Sequence, residues 1–222
     1  MGEVNIVSTE SRAFQDRIEA GRALAAELSD LKGKDPLIIG VPRGAVPMAA
    51  VIADELDGDL DVVIVRKLGA PGNPELAIGS VTEEGEAIVN ESFARRTGAS
   101  DEYIEQETQR QMDRIEDRKR VYREARPKVP MEGRTVVIVD DGFATGATMK
   151  AALESARSEN PERLIAAAPV GAQDTCRKMG DFADEVVCLR APQYFGAVGA
   201  FYRDFGQVSD DEVIRILKQR MK

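Results

Sequence analysis

Two hydrophobic rhythms alternate along this chain. In the stretch 11–31 the apolar residues Phe14, Ile18, Ala25 and Leu28 recur at near-helical spacing, which predicts an opening amphipathic helix ended by Gly33. A short apolar run at 37–41 follows, then a helical stretch at 45–56, then a second, β-branched run at 61–65. The sequence strand, helix, strand returns at 135–139, 148–157, 164–170, 172–179 and 185–189. Runs that are apolar throughout, rather than alternating, suit strands covered on both faces. Their alternation with helices predicts an α/β fold, a mostly parallel sheet flanked by helices on both faces.

Two segments interrupt the alternation. The first, 68–82, carries three Gly and two Pro, a composition that predicts a mobile loop, and a strand-like run at 87–90 follows it. The second, 100–125, is densely charged, with Ile104, Thr108, Met112, Ile115 and Tyr122 on roughly one face; it predicts an inserted helix about 39 Å long. Such a narrow stripe suits either a partner surface, as in a homodimer, or packing across the same subunit. Ser209-Asp210-Asp211-Glu212 reads as a capping box that opens a last helix through Leu217. The whole of 1–222 is expected to form one domain, with 190–222 as a C-terminal hood and helix.

Composition narrows the chemistry. A 222-residue chain that is 43% hydrophobic and 31% charged can bury a real core. Its net charge of −9 gives a polyanion no overall attraction, so no nucleic-acid partner is expected. No stretch has the roughly 20 apolar residues of a membrane span, and 1–10 lacks the pattern of a signal peptide; the expectation is a cytoplasmic protein. There is no histidine, which removes Ser-His-Asp and Cys-His catalysis and histidine general bases together. Cys176 and Cys188 have no metal-binding spacing and read as reduced, packed residues.

The strongest signal is 136–149, Val-Val-Ile-Val-Asp-Asp-Gly-Phe-Ala-Thr-Gly-Ala-Thr-Met. A buried strand runs into two acids, a small-residue loop and a helix. Ligands of open α/β sheets bind beyond the carboxyl ends of the strands, where Asp140 and Asp141 fall. Adjacent carboxylates accept hydrogen bonds from a vicinal diol such as that of ribose. The loop from Gly142 through Ala144, Thr145, Gly146, Ala147 and Thr148 has little bulk, so its N–H groups and the following helix N-terminus can close on a phosphate. Gly146 would allow close backbone approach. The acids precede the glycines, so this is neither a Walker loop nor a dinucleotide fingerprint.

These residues resemble the type I phosphoribosyltransferases, in which a hydrophobic strand, two acids and a Thr-Gly loop form the defining motif. The resemblance implies a substrate, 5-phosphoribosyl-1-pyrophosphate, whose ribose hydroxyls are held by Asp140 and Asp141 and whose 5-phosphate lies on 144–148. It makes Pro42-Arg43-Gly44 the pyrophosphate loop, with Arg43 on pyrophosphate, and Lys67, in Val65-Arg66-Lys67, a second pyrophosphate contact beside a closing loop. It implies Mg²⁺, bound to substrate oxygens and reached by Asp140 or Asp141 indirectly or through water, and catalytic roles for Arg43, Lys67 and Asp141. Tyr194, Phe195 and Tyr202 become an acceptor hood, their rings either stacking a flat base or filling a small core. The chain is similar, over 14–220, to an uncharacterised bacterial and archaeal branch of the family whose acceptor is unnamed. Ala144 stands where members acting on 6-oxopurines usually carry an acid, which implies that hypoxanthine and guanine are poor acceptors. A regulator that binds the sugar phosphate without transferring it is the alternative.

Overall fold

The computed structural model of the chain describes residues 1–220. In chain order the elements are β1 (Glu3–Ser8), α1 (Arg17–Glu27), β2 (Leu37–Gly40), α2 (Val46–Leu56), β3 (Asp59–Val62), β4 (Val65–Ala70), β5 (Asn73–Thr82) and β6 (Ala87–Val89). Then come α3 (Glu91–Arg96), α4 (Asp101–Ala125), β7 (Thr135–Val139), α5 (Ala147–Ser158), β8 (Arg163–Val170), α6 (Gln173–Met179), β9 (Glu185–Arg190) and α7 (Asp210–Lys218). Six strands form one parallel sheet in the order β1-β9-β8-β7-β2-β3. Helices cover it, and the expected α/β class holds. Val136, Val137, Ile138 and Val139 have no exposed surface. Burying each such side chain is worth roughly 1.5–3 kcal/mol, so the end of β7 is a rigid platform.

The connections run outward in two directions from the centre. β2 leads to β3 on one side, while β7, β8 and β9 step away on the other. The β2/β7 boundary is therefore the topological switch point, where a crevice opens beyond the strand ends.

Several elements differ from their sequence readings. The stretch 68–82 is not a loop but most of a hairpin: β4 pairs antiparallel with β5, and β5 with β6. Its Pro71-Gly72 makes the turn, with Gly72 at φ +72°, and a register shift absorbs Gly69. Leu68, Ile78 and Val81 are buried beneath it, so the glycines and prolines punctuate strands instead of replacing them. The opening helix is shorter, starting at Arg17 with the Asp16 carboxylate accepting from the Glu19 N–H at 2.8 Å. Phe14 lies outside it, in an extended segment bridged to Tyr202. β3 spans Asp59–Val62 and leaves Val65 to the hairpin. β1, unread in the sequence, adds a parallel edge strand to β9.

The inserted helix α4 packs on its own chain, against β4 and α7, with Ile115 and Tyr122 fully buried and Ile104 and Met112 half-buried. Near its end Arg123 donates to Asp61 at 2.7 Å, to both oxygens of Glu83 at 2.6 and 2.9 Å, and to the Val62 carbonyl at 3.0 Å. Asp61 and Glu83 are both buried. This cluster ties α4 to the sheet end and to the hairpin at once.

Candidate functional site

Asp140 and Asp141 emerge from β7 at the switch point. The Asp140 N–H still extends the sheet, donating to Ala167 O at 3.1 Å, and the Asp140 carboxylate accepts from the Asp141 N–H at 2.8 Å. Asp141 is held three ways. Its carbonyl accepts from the Tyr202 hydroxyl at 2.7 Å, its Oδ2 accepts from Arg17 Nη2 at 3.2 Å, and it packs on Gly44. A Cβ at Gly44 would sit 2.3 Å from Asp141 Oδ2, so the glycine after Arg43 is what lets the acid of one loop lie on the backbone of the other.

Two carboxylates this close penalise one another. Burial, and then the charge of Asp141, push Asp140 up to about 7. Burial raises Asp141 as well, and Arg17 partly restores it. The pair thus shares negative charge that a cation or a set of hydroxyl donors would relieve.

Beyond Phe143, which is buried and bridged to Gly171, the loop enters α5 at Gly146 in a left-handed conformation with no side-chain cap. The first N–H groups of α5 therefore face outward with only a 3.4 Å contact from Ala147 N to Thr145 Oγ1, the arrangement that suits an anion. Thr145, Ala144 and Thr148 are exposed. Gly146 also has a packing role. A Cβ there would strike Thr175 and Met179 at 2.7 and 2.8 Å, so the glycine permits α6 to pack, and its φ of +74° asks for glycine in any case.

The other predicted residues converge on this edge. The Val41 N–H donates to Val139 O at 2.9 Å, which lays Pro42, Arg43 and Gly44 beside the acids; the Pro42–Arg43 peptide is cis. Arg43 pairs with Asp210, at the start of α7, at 3.2 Å, and the same carboxylate accepts from the Tyr122 hydroxyl. Lys67 on β4 lines a cavity of about 620 Å³ together with Thr145, Gly146 and Ala147.

The hood residues separate. Tyr194 is 86% exposed, Phe195 stacks on Phe201 at 5.3 Å, and Val198 covers Gly142. Tyr202 is buried and stacked on Phe205 at 4.9 Å, so it serves as a strut beneath Asp141 and not as an open platform for a base.

Arg17 escaped the sequence reading. It bonds the Gly206 carbonyl at 2.9 Å and lies 4.0 Å over the Phe205 ring while holding Asp141. Nothing in its local sequence marks it, because its partners lie 124 and 189 residues away.

A family model described as phosphoribosyl transferase domain matches residues 12–204. Two curated relatives named "Putative phosphoribosyl transferase", from two strains of Mycobacterium tuberculosis, are 43% identical over 206 residues, which is 93% of this chain and 46% of theirs. The chain spans about half the length of the curated relatives it matches. The crystal structure of TT1426 from Thermus thermophilus superposes with a TM-score of 0.88 at 46% identity, covering 95% of this chain and 100% of that one. No helix among the described residues is long and apolar enough to cross a membrane.

Proposed function

Because the chain belongs to the phosphoribosyl transferase family, we propose that it binds 5-phosphoribosyl-1-pyrophosphate with Mg²⁺ and transfers the phosphoribosyl group to a nitrogen acceptor of the nucleobase kind, releasing pyrophosphate. The observation that carries this reading is the adjacency, at one switch point, of two mutually repelling carboxylates and an uncapped helix N-terminus. The first suits a diol and the second a phosphate.

In this reading Asp140 and Asp141 accept from the ribose 2- and 3-hydroxyls, and the N–H groups of 144–148 take the 5-phosphate. The acceptor nitrogen forms its bond to ribose C1 as the bond from C1 to the pyrophosphate oxygen breaks, through a transition state with oxocarbenium character. Arg43 and Lys67 stabilise the charge that gathers on the departing pyrophosphate. Mg²⁺ fits the donor set, since it prefers one or two carboxylates plus substrate phosphate oxygens, and would neutralise the same charge. The Arg43–Asp210 pair does not bar the ligand. Exposed pairs such as Arg43–Asp210 contribute about 0–1 kcal/mol, less than the roughly 1.5–3 kcal/mol of a hydrogen bond to a charged group. We expect the protein to be cytoplasmic and a homodimer.

A second reading, a regulator that binds the sugar phosphate without turnover, is favoured by those same internal ion pairs, which hold Asp141 and Arg43 on the chain's own groups. One experiment separates the two. Pure protein is incubated with phosphoribosyl pyrophosphate, Mg²⁺ and a panel of bases, and pyrophosphate is measured. Acceptor-dependent release establishes the transferase, binding without release the regulator, and absence of binding removes both.

A further inference from the structure

Two thiols that the proposed function does not use meet behind the phosphate loop. Cys176 lies on α6 and Cys188 on β9; both are free, and neither has any exposed surface. They converge on Gly171, just after β8. A Cβ there would sit 2.6 Å from Cys176 Sγ, 3.1 Å from Phe143 Cβ and 3.3 Å from Cys188 Sγ, so the glycine makes room for both sulfurs beside the site loop. A hydrogen bond between the thiols draws Cys176 below the ordinary thiol value, and the charge of Arg177 acts the same way. The same bond, together with burial, pushes Cys188 up. The pair is thus polarised into a thiolate that can attack and a thiol that can resolve. α6 is also joined to the phosphate loop. The Thr175 hydroxyl, one residue from Cys176, donates to the Ala144 carbonyl at 2.7 Å, and Thr175 with Met179 fills the space that a Cβ at Gly146 would need. The Phe143 carbonyl accepts from the Ala172 N–H at 2.9 Å. A shift of Cys176 therefore reaches 143–146 from behind.

We propose that Cys176 and Cys188 form a reversible disulfide in response to a hydroperoxide, and that this bond loosens the grip of 144–148 on the 5-phosphate. With hydrogen peroxide, the Cys176 thiolate attacks one oxygen, the O–O bond breaks, and the departing hydroxide takes a proton to become water. Cys176 is left as a sulfenic acid. The Cys188 thiol then attacks the Cys176 sulfur; the S–S bond forms as the S–O bond breaks, and a second water leaves. Two thiols lose two electrons and the peroxide gains them. α6 has seven residues and no side-chain N-cap, with Asp174 and Arg177 exposed, so local opening of this short helix admits peroxide while the sheet stays folded. A disulfide holds its sulfurs closer than any hydrogen bond to sulfur does. Cys188 is fixed on a strand paired with both β1 and β8, so α6 is the part that moves. The effect on the 5-phosphate rests on the transferase reading of 144–148; the disulfide itself does not.

Reduced protein and protein treated with hydrogen peroxide are compared by intact mass, thiol titration and calorimetry with ribose 5-phosphate. The expected result is the loss of two hydrogens and of both thiols within one chain, with ribose 5-phosphate affinity lower by roughly tenfold, about 1.4 kcal/mol. Dithiothreitol should restore it. The double variant Cys176→Ala, Cys188→Ala should bind as the reduced wild type does and ignore peroxide. Cys188→Ala alone should stop at the sulfenic acid, which dimedone traps on Cys176; this needs no binding measurement and only one buried substitution. Thiols that survive peroxide in the folded protein overturn the proposal, and so does a disulfide that leaves ribose 5-phosphate affinity unchanged. An equal loss of affinity in the double variant overturns it in favour of methionine oxidation. If reduced wild type ignores ribose 5-phosphate, the transferase reading of the loop fails and takes the coupling with it, while mass and dimedone trapping still decide the disulfide.

Discussion

Asp140 shows how a single carboxyl can be placed for a ligand at a cost to the fold. Its value near 7 lies above that of an aspartate in an unfolded chain, about 3.9. A group raised on folding contributes stability that is complete below the unfolded value and is lost as pH rises through the folded one. Asp140→Asn, whose amide oxygen can still accept from the Asp141 N–H, is therefore expected to melt higher than wild type at pH 8 and about equal to it at pH 4. The gain should be on the order of 2 kcal/mol, below what full burial would give, because the crevice is open to solvent. Melts across that range check it, and equal melting at pH 8 would show that the pair is not strained. The same variant should lose at least ~1.5 kcal/mol of affinity for phosphoribosyl pyrophosphate, one hydrogen bond to a charged group, as Asp141→Asn should. Gly44→Ala tests the geometry from the other loop. With a Cβ 2.3 Å from Asp141 Oδ2, the carboxylate must move, and ribose 5-phosphate affinity should fall at least tenfold in a protein that still folds. The acids and the loop were legible in the sequence because they are contiguous there. Arg17 was not, and Tyr202 was read only as part of an acceptor hood, because their contacts to Asp141 cross 124 and 61 residues.

The same limit governs the elements. Strands of the parallel sheet announced themselves as unbroken apolar runs, which only double-sided burial explains. The hairpin of β4 and β5 was hidden by its own turn chemistry, since Gly69, Pro71, Gly72 and Pro74 make the stretch look structureless while Leu68, Ile78 and Val81 do the packing. β1 alternates instead of running apolar, because one of its faces is exposed and the other is partly covered. For α4 the period was clear but its docking was not. What fixes it is Arg123 between Asp61 and Glu83, two acids buried on different elements. Removing the cation leaves Asp61 without an ion pair and Glu83 with Lys128 alone at 3.9 Å, in a site where burial already raises Asp61, so Arg123→Ala is expected to cost roughly 3–5 kcal/mol. Urea denaturation measures it. A loss below ~1 kcal/mol would mean that α4 is held by its apolar stripe alone.

At the scale of the whole molecule, the sheet order sets where the crevice opens and the C-terminal part of the chain sets what covers it. The switch point between β2 and β7 gathers residues from 42 to 148, and the chain's C-terminal part closes over them: Val198 on Gly142, Tyr202 under Asp141, Phe205 beneath Arg17. Most of the aromatics expected to stack an acceptor are thereby committed within the chain, with Phe195 on Phe201 and Tyr202 on Phe205. Ala144 brings no acid to the loop; its carbonyl accepts from the Thr175 hydroxyl at 2.7 Å, and no histidine exists to replace it. A 6-oxopurine would then meet neither a proton partner for its ring nitrogen nor an open aromatic face other than Tyr194. Hypoxanthine and guanine are accordingly expected to be poor acceptors, with kcat/KM below about 10⁴ M⁻¹s⁻¹, the low end for true enzyme substrates. Steady-state pyrophosphate release with each base measures this. Efficient turnover of either purine would mean that another group supplies the proton, and Tyr194→Ala would then show whether the exposed ring holds the base.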